Sequence, residues 1–445
     1  MKIYAERLML CSAIQSIDTK NKKGENMTEH EYSADGKMHD NLRLKELQAM
    51  SLDRKIMITQ ARIIEWYNHF NGNVYISFSG GKDSTVLLDI ARKVFPDIPA
   101  VFSNTGLEYP EVRRFAASFE NVEIVYPQMT FFNVVKDYGY PIISKEVSEA
   151  IYYARRITND VNKGGKENLF KRLEILGKRP QGNRKNYWDS VSKQDVITQE
   201  NCRRKMLMGT MDSSDGKKKS AFNKEKWLPI ARDMPFLVSH YCCNVMKKSP
   251  LAKYQRQNNR YPYIATMAEE SRMRKQAWLR HGCNAFDSKK KSSQPMSFWT
   301  EQDVLEYIKR YNLPIASVYG DVVYENEIKQ LAFDKFISGE GKLCTTGCSR
   351  TGCVFCAYGV HLEKGETRFQ RLAKTHPKQY NFCISGGEWN DNPFYNSKAS
   401  TEPDEMGWIN WNPKKIWTPS KEGLGMGRVF DMLNDVYGHD FIRYK

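Results

Sequence analysis

The segment from Val74 to Leu88 constrains the fold of this chain more than any other part of the sequence. Its first five residues are the run Val-Tyr-Ile-Ser-Phe, which predicts a buried strand, and apolar residues at helical spacing follow from Val86. Between them lies Ser-Gly-Gly-Lys-Asp-Ser-Thr, residues 79–85, which lacks the Gly-x-x-x-x-Gly-Lys-Ser/Thr spacing of a Walker A loop. Glycines let a backbone approach an anion closely, and the N–H groups that open a helix point toward it. The segment therefore predicts a strand, a short pyrophosphate-binding loop and a helix.

The polar side chains of this loop have the chemistry that phosphate transfer needs. Lys82 adds a positive charge, and the hydroxyl groups of Ser84 and Thr85 can donate hydrogen bonds to phosphate oxygens. Asp83 can cap the helix or hold a magnesium ion through water. We therefore expect Lys82, Asp83 and Ser84 to act in catalysis. The loop residues expected to bind the nucleotide are Ser79, Gly80, Gly81, Lys82, Asp83, Ser84 and Thr85.

Strands and helices alternate around the loop. A helical pattern runs from Leu44 to Phe70, strands are predicted at Ala100–Ser103 and Glu123–Tyr126, and a helix begins near Pro110. The alternation resumes with a strand at Pro262–Thr266. This order is typical of a parallel sheet covered on both faces, so we predict a doubly wound α/β fold.

A strongly basic stretch interrupts this alternation. Residues 151–232 contain 20 Lys and Arg against 9 Asp and Glu, which supplies most of the net charge of +16 of the chain. Lys and Arg follow phosphates while aromatic rings stack on unpaired bases, so one hypothesis is a nucleic-acid partner, DNA or tRNA. The alternative is a solvated surface insertion, because charge runs are usually just solvated. A short helix is predicted within it at Leu169–Leu176. The interleaved aromatic residues are Phe170, Tyr187, Trp188, Phe222 and Trp227.

Four of the ten cysteines lie close together. Cys344, Cys348, Cys353 and Cys356 have the spacing C-x3-C-x4-C-x2-C, with glycines between them that let the chain wrap around a small object. Clustered cysteines in a chain without a secretory signal predict metal ligands or redox groups rather than disulfides. Four thiolates can hold either a [4Fe–4S] cluster or a tetrahedral zinc ion, and the spacing leaves both open.

Other features bear on the location of the protein. The sequence has no run of 18 or more apolar residues, which argues against a membrane-spanning helix. The apolar stretch Leu8–Ile14 is short and is not followed by a clear cleavage site, which argues against a secretory signal. We therefore expect a cytoplasmic protein with no membrane partner. The polar residues 1–43 are predicted to be a loosely ordered leader, and Met27 is an alternative start.

Further motifs accompany the loop and together carry a resemblance. The segment 103–111, Ser-Asn-Thr-Gly-Leu-Glu-Tyr-Pro-Glu, resembles an Asp-Thr-Gly-x-x-(Phe/Tyr)-Pro-Glu turn, and 240–250 resembles a Cys-Cys-x-x-x-Lys-x-x-Pro segment. Residues 265–274 resemble Gly-x-Arg-x-x-Glu-Ser-x-x-Arg, and 298–304 resemble the start of a Trp-x-x-x-Asp-Val helix. With the loop, these motifs make the chain similar to the phosphoadenosine phosphosulfate reductase family of the adenine nucleotide α-hydrolase-like (ATP pyrophosphatase) superfamily.

The resemblance implies a particular nucleotide site. It implies an adenine nucleotide, ATP with Mg²⁺, held by the loop and by two of the other motifs. The residues that it adds to the expected site are Asn104, Thr105, Gly106, Glu108, Glu270, Ser271 and Arg274.

The sequence also departs from the reductase pattern. Met267 stands where the reductases carry an arginine, and a thioether binds no anion. Cys383 lies in Phe-Cys-Ile-Ser-Gly-Gly, not in the Glu-Cys-Gly-(Leu/Ile)-His segment that holds the reductase nucleophile. The resemblance therefore favours a thiolation-type enzyme, which adenylates an oxygen of an acceptor, releases pyrophosphate and takes sulfur from a donor protein. The acceptor would be a nucleic acid or a small molecule.

Two other functions remain open at this point. One is reduction of adenylyl sulfate or of its 3′-phosphate. The other is a non-enzymatic module that senses a nucleotide and binds nucleic acid.

The same resemblance bears on the metal. Cluster-bearing members of the family use a Cys-Cys pair plus a distant Cys-x-x-Cys, and both occur here at 242–243 and 353–356. This similarity favours a [4Fe–4S] cluster, with zinc as the second choice. The expected ligands are Cys243, Cys348, Cys353 and Cys356, with Cys242 and Cys344 as alternatives.

These observations predict how the chain is organised. A leader (1–43) precedes an ATP-pyrophosphatase core in two parts, 44–150 and 236–335. A basic insertion, 151–235, separates the two parts. A Cys-rich metal-binding segment, 336–385, and a C-terminal tail, 386–445, follow.

Overall fold

The computed structural model describes residues 39–155, 193–213, 216, 218–288, 290–325 and 341–445. Most of the predicted leader, including Met27, and the predicted helix at 169–176 lie outside these residues. So do Phe170, Tyr187 and Trp188 of the basic stretch.

The described residues form two compact units, each built from two separate stretches of chain. The first unit holds the residues up to Pro127 and those of Lys247–Gly352. The second unit holds Gln128–Met246 and Cys353–Lys445. The predicted segments 44–150 and 336–385 are therefore each divided between the two units.

Short strands and helices make up both units. In chain order the described strands are β1 Val74–Phe78, β2 Ala100–Ser103, β3 Val122–Val125, β4 Ile142–Ile143, β5 Tyr261–Tyr263, β6 Asn284–Ala285, β7 Ser292–Ser293, β8 Val322–Tyr324, β9 Leu343–Thr345, β10 Ala357–Tyr358, β11 Glu388–Asp391 and β12 Lys415–Thr418. Residues 145–155 are also helical. The other α-helices described are Asn41–Gln48, Leu52–His69, Lys82–Val94, Pro110–Ala117, Phe131–Tyr138, Lys193–Met208, Leu228–Asp233, Ser249–Asn258, Arg272–His281, Glu301–Arg310, Arg368–Thr375, Pro377–Ile384 and Met426–Tyr437.

A six-stranded sheet organises the first unit. Its strand order is β3-β2-β1-β5-β7-β6, and all neighbours are parallel except β6 and β7. The chain moves outward from β1 to β3 and then returns to the other side of β1 with β5, so the strand order reverses between β1 and β5. This sheet confirms the predicted α/β fold class.

Apolar side chains cover both faces of this sheet because successive residues of a strand point to opposite sides. Val74, Ile76 and Phe78 of β1 belong to the large core, together with residues of the helices Leu52–His69 and Lys82–Val94. Tyr75, from the same strand, packs on the other face with Val101 and Tyr254. The alternation along β1 therefore places helices on both faces, as a doubly wound sheet requires.

The predicted element boundaries agree with the structure to within a few residues. The strands predicted at 74–78 and 100–103 coincide with β1 and β2, whereas β3 begins one residue earlier than predicted. The helical pattern at 44–70 is two helices instead of one. The break is at Ser51, whose extended backbone (φ −61°, ψ 154°) opens the second helix.

A buried arginine organises part of the second unit. Arg155 is 2% exposed, and its guanidinium donates to the carbonyls of Ala231 (2.8 Å) and Phe236 (2.6 Å), among others. It also lies 4.3 Å from the centre of the Trp411 ring. Because its hydrogen bonds end on backbone carbonyls, this arginine of the basic stretch is structural.

Within the described part of the chain, no helix combines the length and the apolar character that crossing a membrane requires.

Candidate active site

A cavity of about 560 Å³ opens in the first unit at the carboxyl ends of β1 and β5. The loop after β1 forms one wall, and residues 264–267, which follow β5, form another. Ligands of open α/β sheets bind where the strand order reverses, and β1 and β5 flank that point here. The volume is in the range of small-molecule sites. The cavity is therefore the candidate active site.

The loop after β1 requires glycine at one position. Gly80 has φ +69°, and a Cβ there would lie 2.8 Å from Cγ1 of Val112. Both the backbone conformation and the close approach exclude other residues without a shift of the neighbouring helix.

Hydrogen bonds within the loop hold the turn into the helix Lys82–Val94. The backbone N–H of Ser79 donates to Oγ of Ser84 (3.2 Å), and that hydroxyl donates to the carbonyl of Gly81 (2.9 Å). Oγ1 of Thr85 donates to the same carbonyl (2.9 Å). The predicted loop residues that line the cavity are Ser79, Gly81, Lys82, Asp83 and Ser84.

Lys82 is buried and faces the cavity. Its side chain is 5% exposed, and Nζ lies 3.3 Å from Oε1 of Glu301 and 5.4 Å from the centre of the Tyr319 ring. The hydroxyl of Tyr319 accepts a hydrogen bond from the backbone N–H of Lys82 (3.4 Å) and also contacts Oγ1 of Thr351. The ammonium group is thus held at the cavity wall by a carboxylate that is itself half exposed.

A buried network fixes the position of Glu301. This residue begins the helix Glu301–Arg310, which is capped by Thr300. The carboxylate of Asp303 accepts from the backbone N–H of Thr300 (2.7 Å) and from Nζ of Lys55 (2.6 Å). Because Lys55 is also buried, this ion pair ties the start of the helix to the core.

Asp83 also lines the cavity. Burial raises the pKa of its carboxyl above the usual value, although the positive charges of Lys82, Arg350 and Arg274 act in the opposite direction. A bound cation would favour the ionised form of this carboxyl, and the role of Asp83 beside a magnesium ion stays a prediction.

A second group of charges lies at the Ala268–Glu270 turn. Oε2 of Glu270 accepts from the backbone N–H of Met267 (2.9 Å) and is paired with Arg274, and Oε1 is paired with Arg350 at 2.7 Å. Oγ of Ser271 accepts from the backbone N–H of Arg274 (3.3 Å), so this predicted binding residue acts as a helix cap. Glu270, Arg274 and Arg350 all line the cavity.

Sequence analysis does not identify three of the residues in this cavity wall. Glu301, Tyr319 and Arg350 are distant from the loop in sequence. Arg350 belongs to the segment Thr-Gly-Cys-Ser-Arg-Thr-Gly-Cys, and the sequence gives that segment only a thiol role. The signal that could have identified Arg350 is its position as a basic residue between Gly347 and Gly352.

The turn at 104–108 stabilises itself through its own side chains. Oγ1 of Thr105 donates to Oε1 of Glu108 (2.7 Å), and the backbone N–H of Thr105 donates to Oε2 (3.1 Å). The N–H of Gly106 donates to Oδ1 of Asn104 (3.1 Å). These four residues are not among those that line the cavity, so their contact with the nucleotide stays a prediction.

Four of the six candidate metal ligands lie in the second unit: Cys242, Cys243, Cys353 and Cys356. The Sγ atoms of Cys242 and Cys243 are 4.0 Å apart. The pKa of the Cys242 thiol is raised by its hydrogen bond with Cys243, by burial, and by the charges of Cys243, Cys356 and Cys353. The structure therefore gathers the Cys-Cys pair and the Cys-x-x-Cys pair.

The other two candidate ligands belong to the first unit. Cys344 lies in β9, and its Sγ is 3.7 Å from the carbonyl of Val323 in β8. Cys348 is 4% exposed, and its backbone N–H donates to the carbonyl of Val318 (2.9 Å). Thus, of the four candidate ligands in the second unit, Cys242 is the one that the sequence gives only as an alternative.

The donor set of the second unit fits a thiolate-bound metal. Four thiols suit either a [4Fe–4S] cluster or zinc, and a metal ion would remove the protons that the raised pKa of Cys242 retains. As positioned, no three His, Cys, Asp or Glu side chains of the described residues stand in ligating geometry. The metal and its ligands therefore stay predictions.

The same residues match a known family of proteins. The model of the phosphoadenosine phosphosulfate reductase domain matches residues 73–131 and 199–358, which include the loop, β5, the Glu270 turn and the four thiols. The chain belongs to the phosphoadenosine phosphosulfate reductase family. The predicted family is thereby confirmed.

Two individual proteins are similar to this member of the family. An uncharacterized protein from Methanocaldococcus jannaschii is 30% identical over 109 residues, which are 24% of this chain and 26% of that protein. The chain thus matches about a quarter of the length of this relative. The crystal structure of a phosphoadenylyl-sulfate reductase from Candida auris, a phosphate complex, aligns at 12% identity with a TM-score of 0.27. The alignment covers 67% of this chain and 95% of that one.

Proposed function

We propose that this protein adenylates an oxygen of an acceptor with ATP, releases pyrophosphate, and thereby prepares the acceptor for sulfur transfer. The observation that supports it most is the cavity at the reversal of strand order, in which Lys82 and the loop 79–85 face a space of nucleotide size. The wall carries both cations and carboxylates, a mixture that suits a nucleotide chelated by Mg²⁺.

The first step is a displacement at the α-phosphate of ATP. The acceptor oxygen forms a bond to the α-phosphorus and loses its proton to water or a base, while the bond to the bridging oxygen of the β-phosphate breaks. Pyrophosphate leaves with that electron pair into the loop, where Lys82 and the helix N-terminus stabilise its charge. Mg²⁺, held near Asp83, would supply further charge neutralisation.

The second step transfers sulfur. Hydrosulfide supplied by a donor protein forms a bond to the activated carbon of the acceptor and gives its proton to water, and the bond from that carbon to the adenylated oxygen breaks as AMP leaves. No net oxidation or reduction is needed. Cys242, Cys243, Cys353 and Cys356 would hold a [4Fe–4S] cluster, with zinc as the alternative, and the metal would supply a site for binding sulfur or for structural support.

A nucleic acid is one acceptor class that this proposal includes. The described part of the basic stretch forms a second cavity of about 440 Å³ in the second unit, lined in part by Lys219, Lys224, Lys226 and Trp227. The Phe222 ring is 65% exposed close by in sequence. Lysines beside an exposed ring suit a single strand. A mobility shift with DNA or tRNA that weakens with salt is expected; unchanged mobility at low salt with both would remove nucleic acid from the proposal.

Sulfonucleotide reduction is the rival function within the family. A reductase needs an activated thiolate that attacks sulfur. Cys383 is fully buried, its Sγ lies 3.4 Å from Sδ of Met426, and burial raises the pKa of this thiol well above its usual value. Cys383 therefore lacks the exposure and the ionisation of a nucleophile, which favours adenylation.

Two assays on the same preparation separate these functions. Pyrophosphate release from Mg-ATP is measured with tRNA, DNA and small-molecule acceptors, and sulfite formation is measured from adenylyl sulfate and its 3′-phosphate. We expect acceptor-dependent pyrophosphate release without sulfite. Sulfite formation without pyrophosphate release would establish the reductase instead. ATP binding with neither product would favour the nucleotide-sensing module.

A further inference from the structure

Arg350 occupies a position that the family pattern does not explain. It lies in the cavity wall beside Ser349 and Thr351, and Nη2 is 2.7 Å from Oε1 of Glu270. Its side chain is nevertheless 69% exposed, so the guanidinium is anchored at one edge and open to the cavity at others.

Glu270 joins Arg350 to Arg274. The two oxygens of the same carboxylate are divided between the two guanidinium groups. Burial lowers the pKa of Arg274, and the positive charge of Arg350 lowers it further. The charge of Arg350 also acts on Asp83. Two like charges are thus held close together with the carboxylate of Glu270 between them, and the carboxyl of Asp83 in the same cavity wall also interacts with both.

Such a pair suits an oxyanion. Guanidinium groups present planar forks of N–H donors that match the oxygens of phosphate or sulfate, and bonds between charged groups are the stronger kind. Met267, where the reductases carry an arginine, is 3% exposed and offers no donor. In this cavity wall, therefore, position 267 contributes no cation, whereas position 350 contributes one.

We propose that Arg350 is a substrate-binding residue that grips, together with Arg274, an oxyanion of the bound nucleotide. The oxyanion is a phosphate or sulfate group other than the α-phosphate, either at the β- or γ-position of the 5′ chain or on the ribose. Glu270 is the positioning residue that orients both arginines. The inference rests on the proposed function only in that the cavity binds an adenine nucleotide.

The test compares nucleotides that differ in their phosphate groups. Binding of AMP, ATP and adenosine 3′,5′-bisphosphate to the full chain is measured by calorimetry for the wild type, Arg350→Gln and Arg350→Lys. Arg272→Gln is the matched control, because Arg272 is exposed on the helix Arg272–His281 and does not line the cavity. We expect Arg350→Gln to weaken the nucleotide that carries the recognised oxyanion about tenfold and to leave AMP unchanged.

The pattern of losses identifies the oxyanion. A loss confined to ATP places it in the β- or γ-phosphate, and a loss confined to the bisphosphate places it on the ribose. Arg350→Lys should recover part of the affinity, since it keeps the charge but not the fork. Equal affinities of Arg350→Gln and Arg272→Gln for all three nucleotides, or a wild type that binds none of them, would overturn the inference. A wild type that binds but releases no pyrophosphate would refute the proposed reaction alone.

Discussion

Replacement of Lys82 by methionine tests the proposed reaction most directly. Methionine keeps the apolar part of the side chain at this buried position but removes the ammonium group that faces the cavity. The ammonium group of Lys82 would stabilise the negative charge that develops on pyrophosphate as it leaves. Glu301, at 3.3 Å, and the ring of Tyr319 already orient this ammonium group.

The magnitude follows from the surroundings of Lys82. Two unit charges about 4 Å apart interact by about 4 kcal/mol at the effective dielectric constant of a site near the surface. Loss of one oriented donor at a developing anion lowers kcat by about 10²–10³-fold. The cost to folding is far smaller, because Glu301 is half exposed and water can solvate it once Lys82 is gone, so we expect less than about 1 kcal/mol.

The assay is pyrophosphate release from Mg-ATP under saturating acceptor, with thermal unfolding measured in parallel. Lys93→Met is the matched control: Lys93 lies on the same helix, is half exposed and pairs with Asp89 rather than facing the cavity. We expect the control to retain its activity and Lys82→Arg to retain an intermediate activity. If Lys82→Met folds and releases pyrophosphate at a rate close to that of the wild type, the assignment of the loop to phosphate chemistry is refuted.

Three further predictions concern the loop and the thiols. Gly80→Ala should destabilise the protein by about 1–2 kcal/mol in urea unfolding, because of the positive φ and the contact with Val112; an unchanged midpoint would mean that the turn can relax. Because the folded-state pKa of Asp83 is raised, its ionised form destabilises the fold above that pKa. Asp83→Asn should therefore increase the free energy of unfolding near neutral pH, with the gain disappearing in acid, while pyrophosphate release falls; a loss of stability at neutral pH would contradict this. Cys356→Ser should lose most of the iron or zinc of anaerobically purified protein, whereas Cys202→Ser at an exposed position should keep it; equal metal contents would exclude Cys356 as a ligand.

The local features of this protein are visible in its sequence. The strands β1 and β2, the loop between β1 and its helix, and the start of the helix at Glu301 all depend on residues that are neighbours along the chain. The apolar pattern of a strand, the glycine that a tight turn requires and a Thr–Asp capping box each carry their structural reason within a few positions. For the same reason the family resemblance, which depends on such motifs, was confirmed.

The composition of the cavity wall was decided by the tertiary structure. The sequence identifies Lys82 but not its partner Glu301, and it identifies Glu270 without indicating that Arg350 pairs with it from 80 positions away. The thiols show the same limit: the spacing from Cys344 to Cys356 says nothing of Cys242, whereas the fold brings Cys353 and Cys356 close enough for their charges to act on it. Spacing along the chain determines local geometry only. Residues distant in sequence come together through the order of the strands and the packing of the helices. Strand order and helix packing in turn depend on the burial of apolar surface by the whole chain.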